Sequence, residues 1–329
     1  MKKLLVHNTS GKLEAALASR LPSGWQTRAM AAHDPWSIDP NADAVFLTHS
    51  VAGAGRRATV AMPDGWPRRV ALVQLASAGL QGYPSWLFAA PIVASGRGTS
   101  ALPIAEYVLT AMLAHEKRIE QLWLEGEDGW HTNVAMRRVG MLHGKNVGLL
   151  GFGGIGRQVA SLARAFGMKV IATRKDHAAP PPAGVTLAAL NTMLRQADHL
   201  VLAAPLTPIT TGIIGRAAFA AMKPGIHLIN VARGGLVDQE ALLQALDEGR
   251  VAGATLDVTD PEPLPHGHPL YSDLRVRISP HIAWNATGNE ARIISVLCDN
   301  LSRLENEEAA CNRVTLADWQ LENEIAARR

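Results

Sequence analysis

The chain has little cysteine, few aromatic rings, no long apolar run and no excess of one charge, and each shortage narrows what it can be. Two cysteines in 329 residues, Cys298 and Cys311, are too few for a disulfide scaffold or a thiolate metal framework. No metal site is therefore expected, and a reducing compartment is the default. No stretch reaches the roughly 18 uninterrupted apolar residues of a membrane span. The segment Met1–Asn8 carries two lysines but only the short apolar run Leu4-Leu5-Val6, so it is not expected to act as a secretory signal. Thirty-two Lys and Arg against 29 Asp and Glu leave +3, and the pairs Arg56-Arg57, Arg68-Arg69 and Arg137-Arg138 stand apart. That balance excludes the dense basic block of a nucleic-acid binder. The expectation is a soluble cytoplasmic protein with neither nucleic-acid nor membrane partners. What is present is core material: 47% hydrophobic and 19% charged residues, enough for two ordinary domains.

Short apolar runs alternate with longer helical patterns, which predicts an α/β fold with parallel sheets. In the first hundred residues Lys3–His7, Ala44–Thr48, Val70–Gln74 and Ile92–Ala94 read as strands and Glu14–Arg20 as a helix, with Ala52–Gly55 a loop. From Ala101 to Leu124 the pattern is helical, with Ser100 placed to cap its start and Pro103 in its first turn. A second series follows: strand Val147–Leu150, helix Ile155–Phe166, then strands Lys169–Thr173, His199–Ala203 and Ile226–Val231. Helix Gln239–Glu248, between Asp238 as cap and Gly249 as stop, precedes strands Ala252–Val258 and Val276–Ser279. Residues Ala178–Gly184, with three prolines, read as a surface loop, Glu290–Leu304 as a helix, and the tail as a partly ordered arm.

Gly151-Phe-Gly153-Gly154-Ile155-Gly156 satisfies G-x-G-x-x-G between a predicted strand and a predicted helix. In that context Gly151 permits the tight turn, Gly153 lets backbone approach a pyrophosphate, and Gly156 lets helix and strand pack closely. The helix start at Gly154 and Ile155 supplies N–H groups and the positive end of a dipole. A dinucleotide site is the expectation. The next strand ends in Thr173-Arg174-Lys175, where an NAD site usually carries an acid. Two cations and a hydroxyl suit a 2′-phosphate, so NADP(H) is preferred. The alternative is NAD(H), with Asp176 on the ribose.

Three polar motifs end later strands, where open α/β sheets bind ligands: Asn230–Asp238, Leu256–Pro265 and Ser279–Trp284. With the glycine turn and Leu206–Gly212 they give the region from about Ala101 to Trp284 a pattern that resembles the D-2-hydroxyacid dehydrogenase family, of the glyoxylate/hydroxypyruvate reductase kind. The resemblance implies reduction of a small 2-oxo acid by NAD(P)H. Arg233 would bind the substrate carboxylate and polarise its carbonyl, His281 would be the acid–base group, and Glu262 would favour the imidazolium by opposite charge. A glutamate rather than the glutamine of formate dehydrogenases argues for proton transfer. Asp257 would accept from the nicotinamide carboxamide, and Pro205, Thr210, Val231 and Ala232 would border the cofactor.

In the first hundred residues, Ser77-Ala78-Gly79-Leu80-Gln81 falls where the family has a loop whose backbone holds the substrate carboxylate, which makes the N–H groups of Ala78, Gly79 and Leu80 candidates. Gln81 departs from the Asp often found there. Glu106 matches a family signature on a helix taken as structural, and Trp86, Trp130 and Trp284 are candidates for pocket, dimer surface or core. The implied architecture is two Rossmann-like or flavodoxin-like lobes with parallel sheets and an inter-domain cleft. A substrate domain would combine 1–101 with 285–329, and a dinucleotide-binding domain would span 102–284. The segment Glu116–Arg138 would make a homodimer. The alternative from another class is a dinucleotide-sensing, corepressor-like binding protein on the same fold.

Overall fold

Short segments of three to six residues, most of them apolar, become the strands of two wholly parallel sheets in the computed structural model, which describes residues 2–31, 34, 36–48, 60–118, 122–123, 138–174 and 180–327. The chain divides into two units, Met1–Thr99 with Ala286–Arg329, and Ser100–Asn285.

The first unit opens with β1 (Lys3–His7), α1 (Gly11–Arg20), β2 (Trp25–Ala29), β3 (Ala44–Leu47), β4 (Leu72–Leu75) and β5 (Ile92–Ala94). Its strand order is β2-β1-β3-β4-β5, all parallel, the flavodoxin-like arrangement. Strands β3 and β4 are buried at every residue, as central parallel strands covered on both faces must be. Sequence reasoning misses β2 because only Trp25 of its five residues is buried; an edge strand with four exposed positions carries no apolar signal.

The second unit runs α2 (Ala101–Lys117), β6 (Asn146–Leu150), α3 (Gly154–Ala165), β7 (Lys169–Thr173), β8 (Val185–Leu187), α4 (Leu190–Gln196), β9 (His199–Leu202), α5 (Arg216–Ala221), β10 (Ile226–Asn230), α6 (Gln239–Asp247), β11 (Val251–Leu256), α7 (Pro269–Ser272) and β12 (Val276–Ile278). The seven strands lie in the order β12-β11-β10-β9-β6-β7-β8, so the order reverses between β6 and β9. That reversal is where a Rossmann-like sheet opens a crevice at its carboxyl edge. The unpredicted β8, α4, α5 and α7 are three to seven residues long, too short to show a period. Helix α2 stops at Lys117, seven residues before the predicted end, because Arg118 turns left-handed (φ 51°) and its N–H closes on the Ala114 carbonyl. Ser100 stands at the N-cap of α2, but its side chain makes no cap hydrogen bond, against expectation. Asp238 does cap α6, accepting from the Ala241 N–H at 3.0 Å, and Gly249 follows it with φ 67°.

The chain then returns to the first unit as α8 (Asn289–Glu305) and α9 (Leu316–Ala327). The tail is therefore not the partly ordered arm expected. Its helix starts in a capping box, with the Thr315 N–H donating to Asp318 Oδ2 at 2.8 Å and the Asp318 N–H returning to Thr315 Oγ1 at 3.3 Å. Just before it, Arg313 bridges Ala94 and the Val314 N–H donates to Val93, tying the tail to β5. Among the described residues, no helix is long and apolar enough to cross a membrane.

Candidate active site

The glycine turn follows β6 at the point of strand reversal. Gly151 has φ 101°, and a Cβ there would lie 2.7 Å from the Ala203 oxygen and the Ala204 nitrogen. A Cβ on Gly156 would lie 2.4 Å from the Gly151 oxygen. Both positions exclude a side chain by contact with backbone, which does not yield. Gly153 differs: a Cβ there meets nothing within 4 Å. Its bareness serves open space rather than packing, which fits a backbone that a phosphate must approach. The first intrahelical bond of α3 is Arg157 N–H to the Gly153 carbonyl, so the N–H groups of Gly154, Ile155 and Gly156 precede it and face the helix N-terminus. The turn and helix start thus fit a pyrophosphate.

Strand β7 ends at a half-buried Thr173, followed by a half-buried Arg174, and no acid stands at its last residue. Lys175 and Asp176 lie outside the described residues, as does Trp130. In the loop after β9, Thr210 Oγ1 donates to the Pro205 carbonyl at 2.8 Å and accepts from the Thr207 N–H at 2.7 Å, which closes that loop on itself. Val231 and Ala232 are buried just past β10, where the Ala232 N–H donates to Asn230 Oδ1 at 3.1 Å.

Three loops at the carboxyl edge of β10, β11 and β12 interlock. Gly234, beside Arg233, packs so closely under Thr259 that a Cβ would sit 2.0 Å from the Thr259 carbonyl. The Gln239 amide hydrogen-bonds the Asp260 carbonyl and accepts from the Asp260 N–H, so the segment carrying Glu262 is fastened to the segment carrying Arg233. Asn230 Nδ2 donates to the Arg233 carbonyl at 2.9 Å, and the Arg233 guanidinium rests on the Ala232 carbonyl at 2.7 Å.

Asp257 does the corresponding work for His281. It is 2% exposed, and its carboxylate accepts from Ser279 Oγ at 2.6 Å, the Ile282 N–H at 2.9 Å and the Ala283 N–H at 3.1 Å. Because the Ser279 hydroxyl spends its proton on Asp257, Tyr107 must donate in the 2.6 Å contact between the two hydroxyls. Burial holds the Tyr107 hydroxyl above its usual range, more than the Ser279 bond offsets, and the Asp257 charge adds to the rise. The result is a directed chain from Tyr107 through Ser279 to Asp257. Sequence reasoning passed over Tyr107, since a tyrosine on an apolar helix face reads as core. After two donors on Oδ1 and one on Oδ2, Asp257 keeps one acceptor direction on Oδ2.

His281 itself adopts φ 52°, a left-handed conformation that costs a residue with a Cβ about 1–2 kcal/mol. Its N–H donates at 2.9 Å both to the Asp257 and to the Ser279 carbonyl, and Trp284 Nε1 donates to the His281 carbonyl at 2.9 Å. The ring emerges from this anchored turn with Nδ1 3.2 Å from Glu262 Oε1 and 3.3 Å from Oε2. Both side chains keep over two-fifths of their surface exposed, so the pair is accessible to a solute. His281 and Glu262 are thus brought together, while Arg233 lies on the neighbouring loop.

In the first unit, the predicted carboxylate loop follows β4. Ala78 is exposed and Gly79 half-buried, but Leu80 is buried and its N–H is taken by Glu322 Oε2 at 2.8 Å. The reading of Leu80 as a ligand donor is corrected: that amide already has a carboxylate, from the C-terminal helix. Trp86 packs edge-on against Trp66 within the core, and Trp284 stays 44% exposed beside His281. Glu106 is exposed on α2.

A glyoxylate reductase from Thermococcus gammatolerans is 34% identical over 215 residues, 62% of this chain and 63% of that protein. A hydroxypyruvate reductase from Thermotoga maritima is 40% identical over 167 residues, 50% of this chain and 54% of that protein. The matches to these relatives therefore span about three-fifths or less of their lengths. Among solved structures, a D-isomer specific 2-hydroxyacid dehydrogenase from Xanthobacter autotrophicus Py2 in complex with NADPH and MES superposes with a TM-score of 0.73 at 26% identity, covering 97% of this chain and 100% of that one. An NAD-complexed dehydrogenase of the same description from Lactobacillus delbrueckii shares the fold, with a TM-score of 0.77 at 22% identity over 95% of this chain and 100% of that one. Residues 109–283, more than half the chain and the stretch that holds the glycine turn, Arg233, Asp257, Glu262 and His281, match the NAD binding domain of the D-isomer specific 2-hydroxyacid dehydrogenases, and the chain belongs to that family.

Proposed function

We propose that the protein reduces small 2-oxo acids, glyoxylate or hydroxypyruvate first among them, to D-2-hydroxy acids with NADPH in preference to NADH. The observation that carries this reading is the His281–Glu262 pair, 3.2 Å apart and solvent-accessible at the carboxyl edge of a dinucleotide-binding sheet. The second unit is the dinucleotide-binding domain and the first the substrate domain. A reduced nicotinamide supplies the hydride.

The residues of the chain do the rest. Arg233 binds the carboxylate of the oxo acid and draws electron density onto its carbonyl oxygen, a preorganised charge where negative charge develops. With Nδ1 turned to Glu262, His281 presents Nε2 to that oxygen and delivers its proton there as the alkoxide forms; in the reverse direction it takes the proton back. Ala78 and Gly79 lend backbone N–H groups to the carboxylate. Asp257 holds the His281 turn, and its remaining acceptor direction would accept from the nicotinamide carboxamide. Thr173, Arg174 and Lys175 receive the 2′-phosphate: three donors stand where an acid would repel it. The active form is a homodimer, for which mass by light scattering at micromolar concentration is the check.

The test is a panel of oxo acids against NADPH and NADH, followed by absorbance at 340 nm. Turnover of glyoxylate or hydroxypyruvate with a lower KM for NADPH is expected. No turnover with any oxo acid, in folded protein that binds dinucleotide, overturns the reading.

A further inference from the structure

Three hydrogen bonds frame the loop from Ser77 to Gln81, beside a 3.2 Å contact of Ser77 Oγ with the Tyr83 hydroxyl. The Gly96 N–H donates to the Ser77 carbonyl at 2.8 Å, and a Cβ on Gly96 would meet the Ala76 oxygen at 2.0 Å, so this contact is as close as backbone allows. Ser77 Oγ donates to the Gly79 carbonyl at 2.7 Å. Both restraints act on the first half of the loop. The third comes from 242 residues away, where Glu322 takes the Leu80 N–H. Trp319, one turn earlier on the same face of α9, donates Nε1 to the Tyr83 carbonyl at 2.8 Å and packs against Phe88 with ring centroids 6.3 Å apart. Helix α9 therefore fastens the second half of the loop through a carboxylate and an indole.

We propose that Glu322 is a positioning residue for the substrate carboxylate, fixing the amide of Leu80 so that those of Ala78 and Gly79 keep the orientation a carboxylate needs. The proposal rests on the 2-oxo acid reading above. A carboxylate is suited to this work because a charged acceptor holds an N–H about twice as strongly as a neutral one. Leu80 is 1% exposed, so without Glu322 a buried N–H loses its charged acceptor and the loop loosens toward the space the side chain leaves. Ala78 and Gly79 move with it. Glu322 touches no reacting atom, so its influence falls on binding of the acid and not on proton transfer at His281.

The experiment compares wild type, Glu322→Ala and Glu322→Gln in KM and kcat for the oxo acid the wild type turns over, in KM for NADPH, and in hydrogen exchange of the segment 76–83. Glu322→Ala is expected to raise the oxo-acid KM about tenfold, the scale of one hydrogen bond to a charged group. Its kcat and its KM for NADPH should stay within about twofold, as a remote binding contact requires. Faster exchange across 76–83 should accompany the change. Glu322→Gln keeps an acceptor for Leu80 and should restore most of the KM. A KM for Glu322→Ala within twofold of wild type overturns the role of Glu322 and leaves the reductase reading standing. Equal loss of kcat, cofactor affinity and oxo-acid affinity overturns it too, as the mark of a merely structural residue. A wild type that turns over no oxo acid sinks the reading and this inference with it. Should Glu322→Ala not fold, Glu322→Gln decides: a small rise in oxo-acid KM together with faster exchange across 76–83 supports the role, because a neutral acceptor holds the amide more weakly, and a KM or an exchange rate equal to wild type refutes it.

Discussion

The N–H of His281 donates to the carbonyl of Asp257 at 2.9 Å, and the Asp257 carboxylate takes the next two amides of the same turn, those of Ile282 and Ala283. One buried acid thereby holds a histidine in a left-handed backbone conformation that the residue would not choose alone. Replacing Asp257 with Ala leaves the Ser279 hydroxyl and two amides without their acceptor. A loss of about 2–4 kcal/mol in stability is expected, read as a lower urea midpoint, with a fall in kcat/KM of at least about a hundredfold. Unchanged kcat/KM in Asp257→Ala would separate the turn from the chemistry.

His281→Asn should remove the proposed proton donor without touching the glycine turn. Oxo-acid reduction is expected to fall by about 10²–10⁴ while the NADPH dissociation constant, measured by fluorescence titration, stays the same. A matching loss of NADPH binding would assign His281 to structure instead.

Glycines 153 and 156 should answer differently to the same substitution. Gly156→Ala drives a methyl group into the Gly151 carbonyl and should lower the melting temperature by several degrees. Gly153→Ala meets nothing, so its melting temperature should hold while dinucleotide affinity drops. Differential scanning fluorimetry with and without NADPH reads both effects.

On the proposed reading, cofactor choice rests on Arg174, the residue after β7. Arg174→Asp is expected to lower kcat/KM with NADPH at least tenfold and to raise it with NADH, because an acid repels the 2′-phosphate and accepts from ribose hydroxyls. An unchanged ratio would refute the argument from Thr173-Arg174-Lys175.

At the opposite, amino-terminal edge of the same sheet, three histidines meet. His115 stacks on His227 with centroids 4.2 Å apart and planes 5° apart, and His227 Nδ1 lies 3.2 Å from His199 Nδ1. Glu116 faces them, 3.1 Å from His199 Nε2 and bonded to Lys145; Arg118 adds positive charge. Burial, then the positive potential of its neighbours, pushes His115 down to about 4, and the same causes hold His227 well below its ordinary range. Burial would raise Glu116, but its bonds to His199 and Lys145 win and bring it to about 2. Both histidines thus stay neutral in the folded state while the unfolded chain protonates below about pH 6.5, so stability is full above that value and falls with acid toward pH 4. The same linkage acts in the same direction through His227, which is 2% exposed. His227→Asn should flatten the melting temperature against pH between 7 and 5.

Much of this protein is local and therefore legible in the amino-acid string. The strands Lys3–His7, Ile92–Ala94 and Lys169–Thr173 match their predicted bounds residue for residue, because a parallel strand covered on both faces has a continuous apolar centre, here Leu4-Leu5-Val6, Ile92-Val93-Ala94 and Val170-Ile171-Ala172. The glycine turn, the Asp238 cap and the order of Arg233, Glu262 and His281 are equally legible, since each depends on a few adjacent residues. What the string could not disclose depends on distant partners. The edge strand Trp25–Ala29 exists because β1 pairs with it, the tail pairs with β5 through Arg313 and Val314 before its helix reaches the loop after β4, and Leu80 loses its free amide to Glu322. Hydrogen bonds between residues separated by hundreds of positions leave no periodicity to read. Only the folded chain decides which donors are already spent and which remain for a ligand.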